Sequence, residues 1–233
     1  MKNFLRVFSL SLLPVIFLFS LKSYAEEITK KYDYKDFDRI ATSYGMHIKV
    51  TQSDSYSIEV KADERDFRYF KAEQDGDKVS FYIDKNNYRK KDDIYITVTM
   101  PKLTELKLSG GSIADIKMDI KEDFAAKMSG GSGLGGNLKC GNVSFDLSGG
   151  SHADLNGSGK SLEADGSGGS TFKLSRFAVN EADLDLSGGS EAEVKVNGKL
   201  STTQSGGSRV KYSGNTIVEK TNLSGGSKVI KED

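Results

Sequence analysis

The chain is poor in the residues that hold most small exported domains together or give many enzymes their chemistry. Its 233 residues include one cysteine, two prolines, two histidines and no tryptophan. A single cysteine, Cys140, excludes an intramolecular disulfide framework and is expected to be a small core residue, with a reactive thiol as the alternative. His47 and His152 lie far apart, and no Ser-His-Asp arrangement accompanies them. The sequence therefore predicts a non-enzyme with no metal or cofactor.

Long apolar runs are missing after the first 25 residues. The run Phe8–Leu21 follows a basic start with Lys2 and Arg6, and Ser23-Tyr24-Ala25 has the small residues of a cleavage site. The run is short for a membrane span, which needs about 20 apolar residues. We therefore predict a signal peptide over residues 1–25 and a mature chain that does not span a membrane. The expected location is the periplasm, the cell surface or the medium of a Gram-negative-type bacterium.

An excess of positive charge is also missing. The chain has 33 basic and 33 acidic residues, and three of the basic ones, Lys2, Arg6 and Lys22, lie in the predicted signal peptide. The mature chain is therefore weakly acidic, which argues against general nucleic-acid binding.

Glycine is abundant, and it is organised as a repeat. Seven copies of Ser-Gly-Gly-Ser recur at intervals of 18 to 20 residues. They begin at Ser109, Ser129, Ser148, Ser167, Ser187, Ser205 and Ser224. A fixed period near 20 residues is typical of a solenoid, in which each coil buries its apolar side against its neighbours.

Aligning the repeats on the first serine reveals strict alternation of apolar and polar residues on both sides of the glycines. Alternation of this kind places one set of side chains in the interior and the other in solvent. Before the glycines, the outward set includes the acidic column Asp146, Asp165 and Asp185. After the glycines, it includes the charged column Asp115, Asp154, Lys173, Glu193 and Lys211. These two outward columns are the candidate binding residues.

The predicted fold is an all-β parallel β-solenoid of about seven coils over residues 106–233. The glycines form its corners, because glycine adopts backbone torsions that other residues avoid. The second serine of each copy, Ser112 to Ser227, should point inward and hydrogen-bond along the axis as a ladder. Residues 26–105 also alternate and predict a small antiparallel β-sheet region that leads into the solenoid and could form its first turns. Whether this region is a separate domain is left open.

The chain resembles the head GIN domain family of putative autotransporter adhesins, which are bacterial exported β-helix proteins. The matching segments are 34–40, 48–52, 56–60, 96–103, 108–112, 210–215 and 223–227. The resemblance implies a right-handed parallel β-helix and a surface or adhesion role, and it brings no catalytic residues.

These observations favour an exported, non-enzymatic cell-envelope protein that binds a glycan or a protein through its outward columns. One alternative is a polysaccharide-degrading β-helix enzyme that uses Asp115, Asp154, Lys173 and Lys211. The other is a structural envelope protein whose coil ends stack between molecules, and a closed homo-oligomer is also compatible with the sequence. The acidic column is expected to be a solvated face, with attraction of a cation as the alternative.

Overall fold

The computed structural model describes residues 27–86, 88–89 and 93–232. The predicted signal peptide lies outside these residues. The described chain is all-β, with nineteen strands in one continuous sheet and one short helix, α1 (Glu64–Phe67). The strands are β1 (Glu27–Tyr32), β2 (Arg39–Thr42), β3 (His47–Gln52), β4 (Ser57–Asp63), β5 (Phe70–Asp75), β6 (Lys78–Ile83), β7 (Tyr95–Met100), β8 (Glu105–Leu108), β9 (Ile113–Asp119), β10 (Phe124–Met128), β11 (Gly133–Lys139), β12 (Val143–Leu147), β13 (His152–Ser158), β14 (Ser161–Gly166), β15 (Thr171–Leu186), β16 (Glu191–Gln204), β17 (Arg209–Ser213), β18 (Ile217–Leu223) and β19 (Lys228–Lys231).

The strands form two faces that enclose a common interior. Face 1 contains the strands that lead into a Ser-Gly-Gly-Ser corner: β8, β10, β12, β14, the second halves of β15 and β16, and β18. Face 2 contains the strands that leave it: β9, β11, β13, the first halves of β15 and β16, β17 and β19. Every pairing within these two sets is parallel. The predicted parallel β-solenoid of about seven coils is confirmed.

The interior is built from the inward half of each alternating strand. On β12, for example, Val143, Phe145 and Leu147 are buried, whereas Asp146 between them is exposed. Phenylalanine rings pack together in the interior. The ring of Phe145 lies edge-on to that of Phe124 at 6.5 Å and is tilted against that of Phe172 at 6.3 Å, centre to centre. Burying each large apolar side chain contributes about 1.5–3 kcal/mol, so stability accumulates as coils are added.

The Ser-Gly-Gly-Ser corners stack on one another along the solenoid. In all seven, the first glycine has a positive φ, from 61° at Gly110 to 71° at Gly188 and Gly206. A Cβ on Gly130 would lie 3.2 Å from the backbone nitrogen of Gly110 in the preceding corner, which is closer than most Cβ atoms approach. The corner therefore requires glycine both for its torsions and for its close approach to the next coil.

The second serine of each corner points inward as predicted, but the axial ladder that we expected is wrong. From Ser112 to Ser227, each hydroxyl donates to the carbonyl oxygen of its own first serine, at 2.7 to 2.8 Å. Only Ser170, among the described residues, also reaches a neighbouring coil, at the carbonyl oxygen of Leu147. The acceptor three residues earlier is already in place within the turn, so each hydroxyl closes its own corner.

The region before residue 105 contributes parallel coils as well as an antiparallel part. Strands β2 and β3 lie between β6 and β7 on one side and β8 and β9 on the other, and all of these pairings are parallel. The turn between β2 and β3 is an eighth corner, because Tyr44 and Gly45 have φ values of 63° and 64° and Gly110 stacks on Tyr44. One sheet therefore runs without a break from this region into the repeats.

The two ends of the stack differ. At the first end, the antiparallel strands β1, β4 and β5 and helix α1 cover the interior, and Phe67 packs edge-on against Phe70. At the last coil, every residue of β18 is exposed, including Ile217 at 67%. Among the described residues, no helix is long and apolar enough to cross a membrane.

Candidate binding faces

The charged column predicted from the sequence lies on the outer surface of face 2. Its members occupy successive strands in register, in the order Asp115, Gly135, Asp154, Lys173, Glu193 and Lys211. Adjacent strands of a sheet are about 4.8 Å apart, so the column is a regularly spaced row of side chains on the outer surface. The glycine in the second position separates the two aspartates by two strand spacings.

Face 2 neutralises most of its charge internally. Lys211 donates a hydrogen bond to Glu193 at 2.9 Å and also lies 3.7 Å from Glu191 and Glu232. Its bond to Glu193 raises the pKa of the Lys211 ammonium. Asp154 pairs with Arg176 at 3.0 Å rather than with Lys173, its partner in the column. Opposite charges therefore face each other across neighbouring coils, which stabilises a sheet.

The acidic column lies on the outer surface of face 1. Asp146, Asp165 and Asp185 are direct neighbours on β12, β14 and β15. The structure adds a second acidic row that our alignment did not single out, with Glu163 paired to Asp183 on the same strands. We call these five residues the acidic face. Within the described part of the chain, none of them lies within 4.0 Å of a lysine or arginine nitrogen.

The acidic face is electrostatically unfavourable for its own residues. Partial burial, followed by repulsion from Glu163, Asp185, Asp146 and Asp183, raises the pKa of the Asp165 carboxyl. Like charges opposite each other destabilise a sheet. The described residues contain no group of three or more His, Cys, Asp or Glu side chains arranged to hold a metal ion. The five carboxylates of the acidic face form two in-register rows, so they make an extended charged surface.

Cys140 lies in the turn that leads from face 2 back to face 1. It is partly buried, and this burial raises the pKa of its thiol to about 12. A protonated thiol is a poor nucleophile, so the expectation of a small packing residue is favoured over that of a reactive cysteine.

A further outward row, which the sequence analysis missed, lies beside the charged column where β3 and β7 extend face 2. Tyr95 on β7, His47 on β3 and Ile113 on β9 occupy neighbouring positions in register. Tyr95 and Ile113 are 47% and 46% exposed, and the His47 ring stacks on that of Tyr95 at 5.2 Å between centres. Alternation in each strand places these residues outward, but their adjacency depends on the insertion of β3 between β7 and β9. No local sequence signal reveals that insertion.

Comparison with known proteins gives the fold and the family. The model of the family described as "Putative auto-transporter adhesin, head GIN domain" matches residues 36–216. A search of curated proteins finds no match. Among solved structures, a putative adhesin from Bacteroides fragilis has a TM-score of 0.83 at 16% identity, covering 89% of this chain and 97% of its own.

Two further structures share the fold. A putative adhesin from Parabacteroides merdae has a TM-score of 0.67 at 18% identity, with coverage of 90% of this chain and 98% of its own. A putative lipid binding protein from Parabacteroides distasonis has a TM-score of 0.66 at 19% identity, with the same coverage. At such identities the likeness shows a common fold, whereas the family model matches most of the sequence directly. The chain belongs to the family of putative auto-transporter adhesins with a head GIN domain.

Proposed function

We propose that this protein is an exported, non-enzymatic binding module of the bacterial cell envelope, and that it contacts a glycan or a protein through its outer faces. The observation that carries the proposal is the arrangement of outward side chains in in-register rows on the two faces. Such rows suit the recognition of an extended partner, because they repeat contacts at a fixed spacing. Membership of an adhesin family supports the same conclusion.

Export is part of the proposal. The basic start, the apolar run and the small residues before Glu26 support a signal peptide over residues 1–25. Mass spectrometry of the protein recovered from fractionated cells should find Glu26 at the amino terminus in the periplasmic or surface fraction. Recovery of the uncleaved chain from the cytoplasm would contradict export.

The charges on face 2 support binding rather than catalysis at the residues of the enzyme alternative, Asp115, Asp154, Lys173 and Lys211. Asp154 is engaged by Arg176, and Lys211 by Glu193, so these two residues of the charged column are held in ion pairs. Glycoside hydrolysis generally needs two carboxyl groups that flank one bond, with one of them kept protonated. Asp165, the carboxyl of the acidic column with a raised pKa, lies on face 1, on the other side of the solenoid from Asp115 and Asp154.

Two binding assays on one preparation test the function. The purified exported protein is applied to an array of neutral and acidic oligosaccharides, and in parallel to a pull-down from envelope extracts. Specific capture of a glycan or an envelope protein is expected. If the protein binds nothing in either assay, the proposal is contradicted. Release of reducing or unsaturated sugar ends that is lost in the variant Asp154→Ala would favour the enzyme alternative instead.

A further inference from the structure

The row of Tyr95, His47 and Ile113 continues beyond Ile113 because of a glycine. The next position in the row is Gly133, and the one after it is His152. A Cβ built on Gly133 would lie only 2.7 Å from Cε1 of His152, so the histidine ring occupies the space that a side chain on β11 would fill. The absence of a side chain at Gly133 therefore lets the ring of His152 close the gap in the row.

The result is a continuous track of ring and aliphatic side chains, which we call the ring track: Tyr95, His47, Ile113 and His152. It crosses five neighbouring strands, β7, β3, β9, β11 and β13. Four strand spacings give it a length of about 19 Å. Its rings and its isoleucine project from the outer surface of the sheet, where Tyr95 and Ile113 expose apolar surface among otherwise polar outward rows.

The borders of the ring track are polar and balanced in charge. The adjacent row on the same strands holds Thr97, Lys49, Asp115, Gly135 and Asp154. Lys49 lies beside Asp115, and Asp154 is paired with Arg176 at 3.0 Å. At the first end, Lys61 is opposite Tyr95 and is already paired with Glu27 at 2.6 Å. His47 lies 3.7 Å from Asp93. A strongly charged ligand gains little from such a border, whereas a neutral ligand with many hydroxyl groups finds both donors and acceptors.

We propose that the ring track binds an extended, neutral glycan, with the C–H faces of its sugar rings stacked on Tyr95, His47, Ile113 and His152. This inference rests on the proposed function and names its ligand class. Aromatic side chains present an apolar body with a polar tip, which matches the apolar face and hydroxyl edge of a sugar ring. A protein partner fits less well, because stable protein interfaces bury about 1,200–2,000 Å² and keep charge away from their centre. The ring track is one side chain wide and has Lys49 and Asp115 beside it.

Titration calorimetry with the best-bound neutral oligosaccharide from the array tests the ring track. The variant Tyr95→Ala is expected to weaken binding about tenfold, and Tyr95→Phe to retain it, since stacking needs the ring rather than the hydroxyl. Ser144→Ala, on β12 of face 1, should leave affinity unchanged.

A matched pair of glycine variants distinguishes damage to the ring track from a general loss of folding. Gly133→Ala should displace the ring of His152, the movable end of a side chain, and reduce affinity several-fold. Gly135→Ala, two residues along the same strand, meets its nearest atom at 3.7 Å and should have no effect. Circular dichroism and thermal melting of each variant establish that all of them are folded before affinity is compared.

The outcomes distinguish the inference from the function on which it rests. Glycan binding that survives both Tyr95→Ala and Gly133→Ala overturns the ring track but leaves the binding function intact. Selective binding of acidic glycans, or capture of an envelope protein with no glycan binding, also overturns it. If neither a glycan nor an envelope protein binds, the proposed function itself is contradicted.

Discussion

Face 1 and face 2 share one interior and one strand spacing, yet they treat charge in opposite ways. On face 2, Lys211 and Glu193 pair across neighbouring strands, whereas on face 1 Asp146, Asp165 and Asp185 stand next to each other without an ion pair among the described residues. A sheet stabilised by its outer surface would not tolerate the second arrangement. The contrast indicates that the buried side of each strand supplies the stability, and that the outer rows are free to serve binding.

The largest expected effect comes from the interior that both faces share. Phe145→Ala removes a fully buried ring that lies between Phe124 and Phe172, and it should lower the free energy of unfolding by about 3–5 kcal/mol. Urea unfolding followed by circular dichroism measures the loss. Ser144→Ala, at the neighbouring half-buried position, is the control and should change stability by less than about 0.5 kcal/mol. Equal effects of the two substitutions would contradict an interior-dominated fold.

The next effect concerns two glycines with positive φ, one inside a strand and one at a corner. A Cβ at Gly157, where φ is 130°, would collide with the carbonyl oxygen of Leu138, so Gly157→Ala should destabilise the protein by about 3 kcal/mol. Gly111 in a Ser-Gly-Gly-Ser corner also has a positive φ, of 78°, but open space around it. Gly111→Ala should therefore cost only about 1 kcal/mol, the penalty of the left-handed conformation. Thermal melting of both variants tests this order of effects. A larger loss of stability in Gly111→Ala than in Gly157→Ala would contradict it.

The repeats made the solenoid and both charged columns predictable, because each of these depends on local alternation. Asp146 and Asp165, for instance, hold the same position relative to their corners and are neighbours in the structure. The position of β2 and β3 was not predictable, since Thr42 pairs with Leu108 across 66 residues of sequence. The ring track follows from that non-local pairing and stayed hidden for the same reason. The second acidic row, at Glu163 and Asp183, had a visible signal in the alternation two residues before the acidic column.

A smaller effect is expected from breaking a charge pair on face 2. Lys211→Ala removes the hydrogen bond to Glu193 and leaves Glu191 and Glu232 without that cation, so the melting temperature should fall slightly. Because the pKa of Lys211 is raised in the folded state, its contribution is fully present below its ordinary pKa of about 10.4 and is lost as pH rises through the folded value. The difference between the melting temperatures at pH 8 and pH 11 should therefore be smaller for Lys211→Ala than for the unchanged protein. Lys173→Ala, in the same column, provides a matched control.

The smallest effect is expected on face 1, and it is a gain in stability rather than a loss. Burial and neighbouring carboxylates raise the pKa of Asp165 in the folded state, so its ionised form opposes folding. The penalty is absent below the ordinary aspartate pKa of about 3.9, appears as pH rises through the folded pKa, and is fully present at pH 7. Asp165→Asn should thus raise the melting temperature at pH 7 and leave it unchanged at pH 3, whereas the loss of Lys211 lowers it. A lower melting temperature of Asp165→Asn at pH 7 would mean that the carboxylate is stabilised by contacts on face 1, and that the two faces do not differ as we infer.

A partner that binds the acidic face through positive charge should bind Asp165→Asn more weakly. A gain in stability accompanied by a loss of binding would therefore identify face 1 as a surface kept for function.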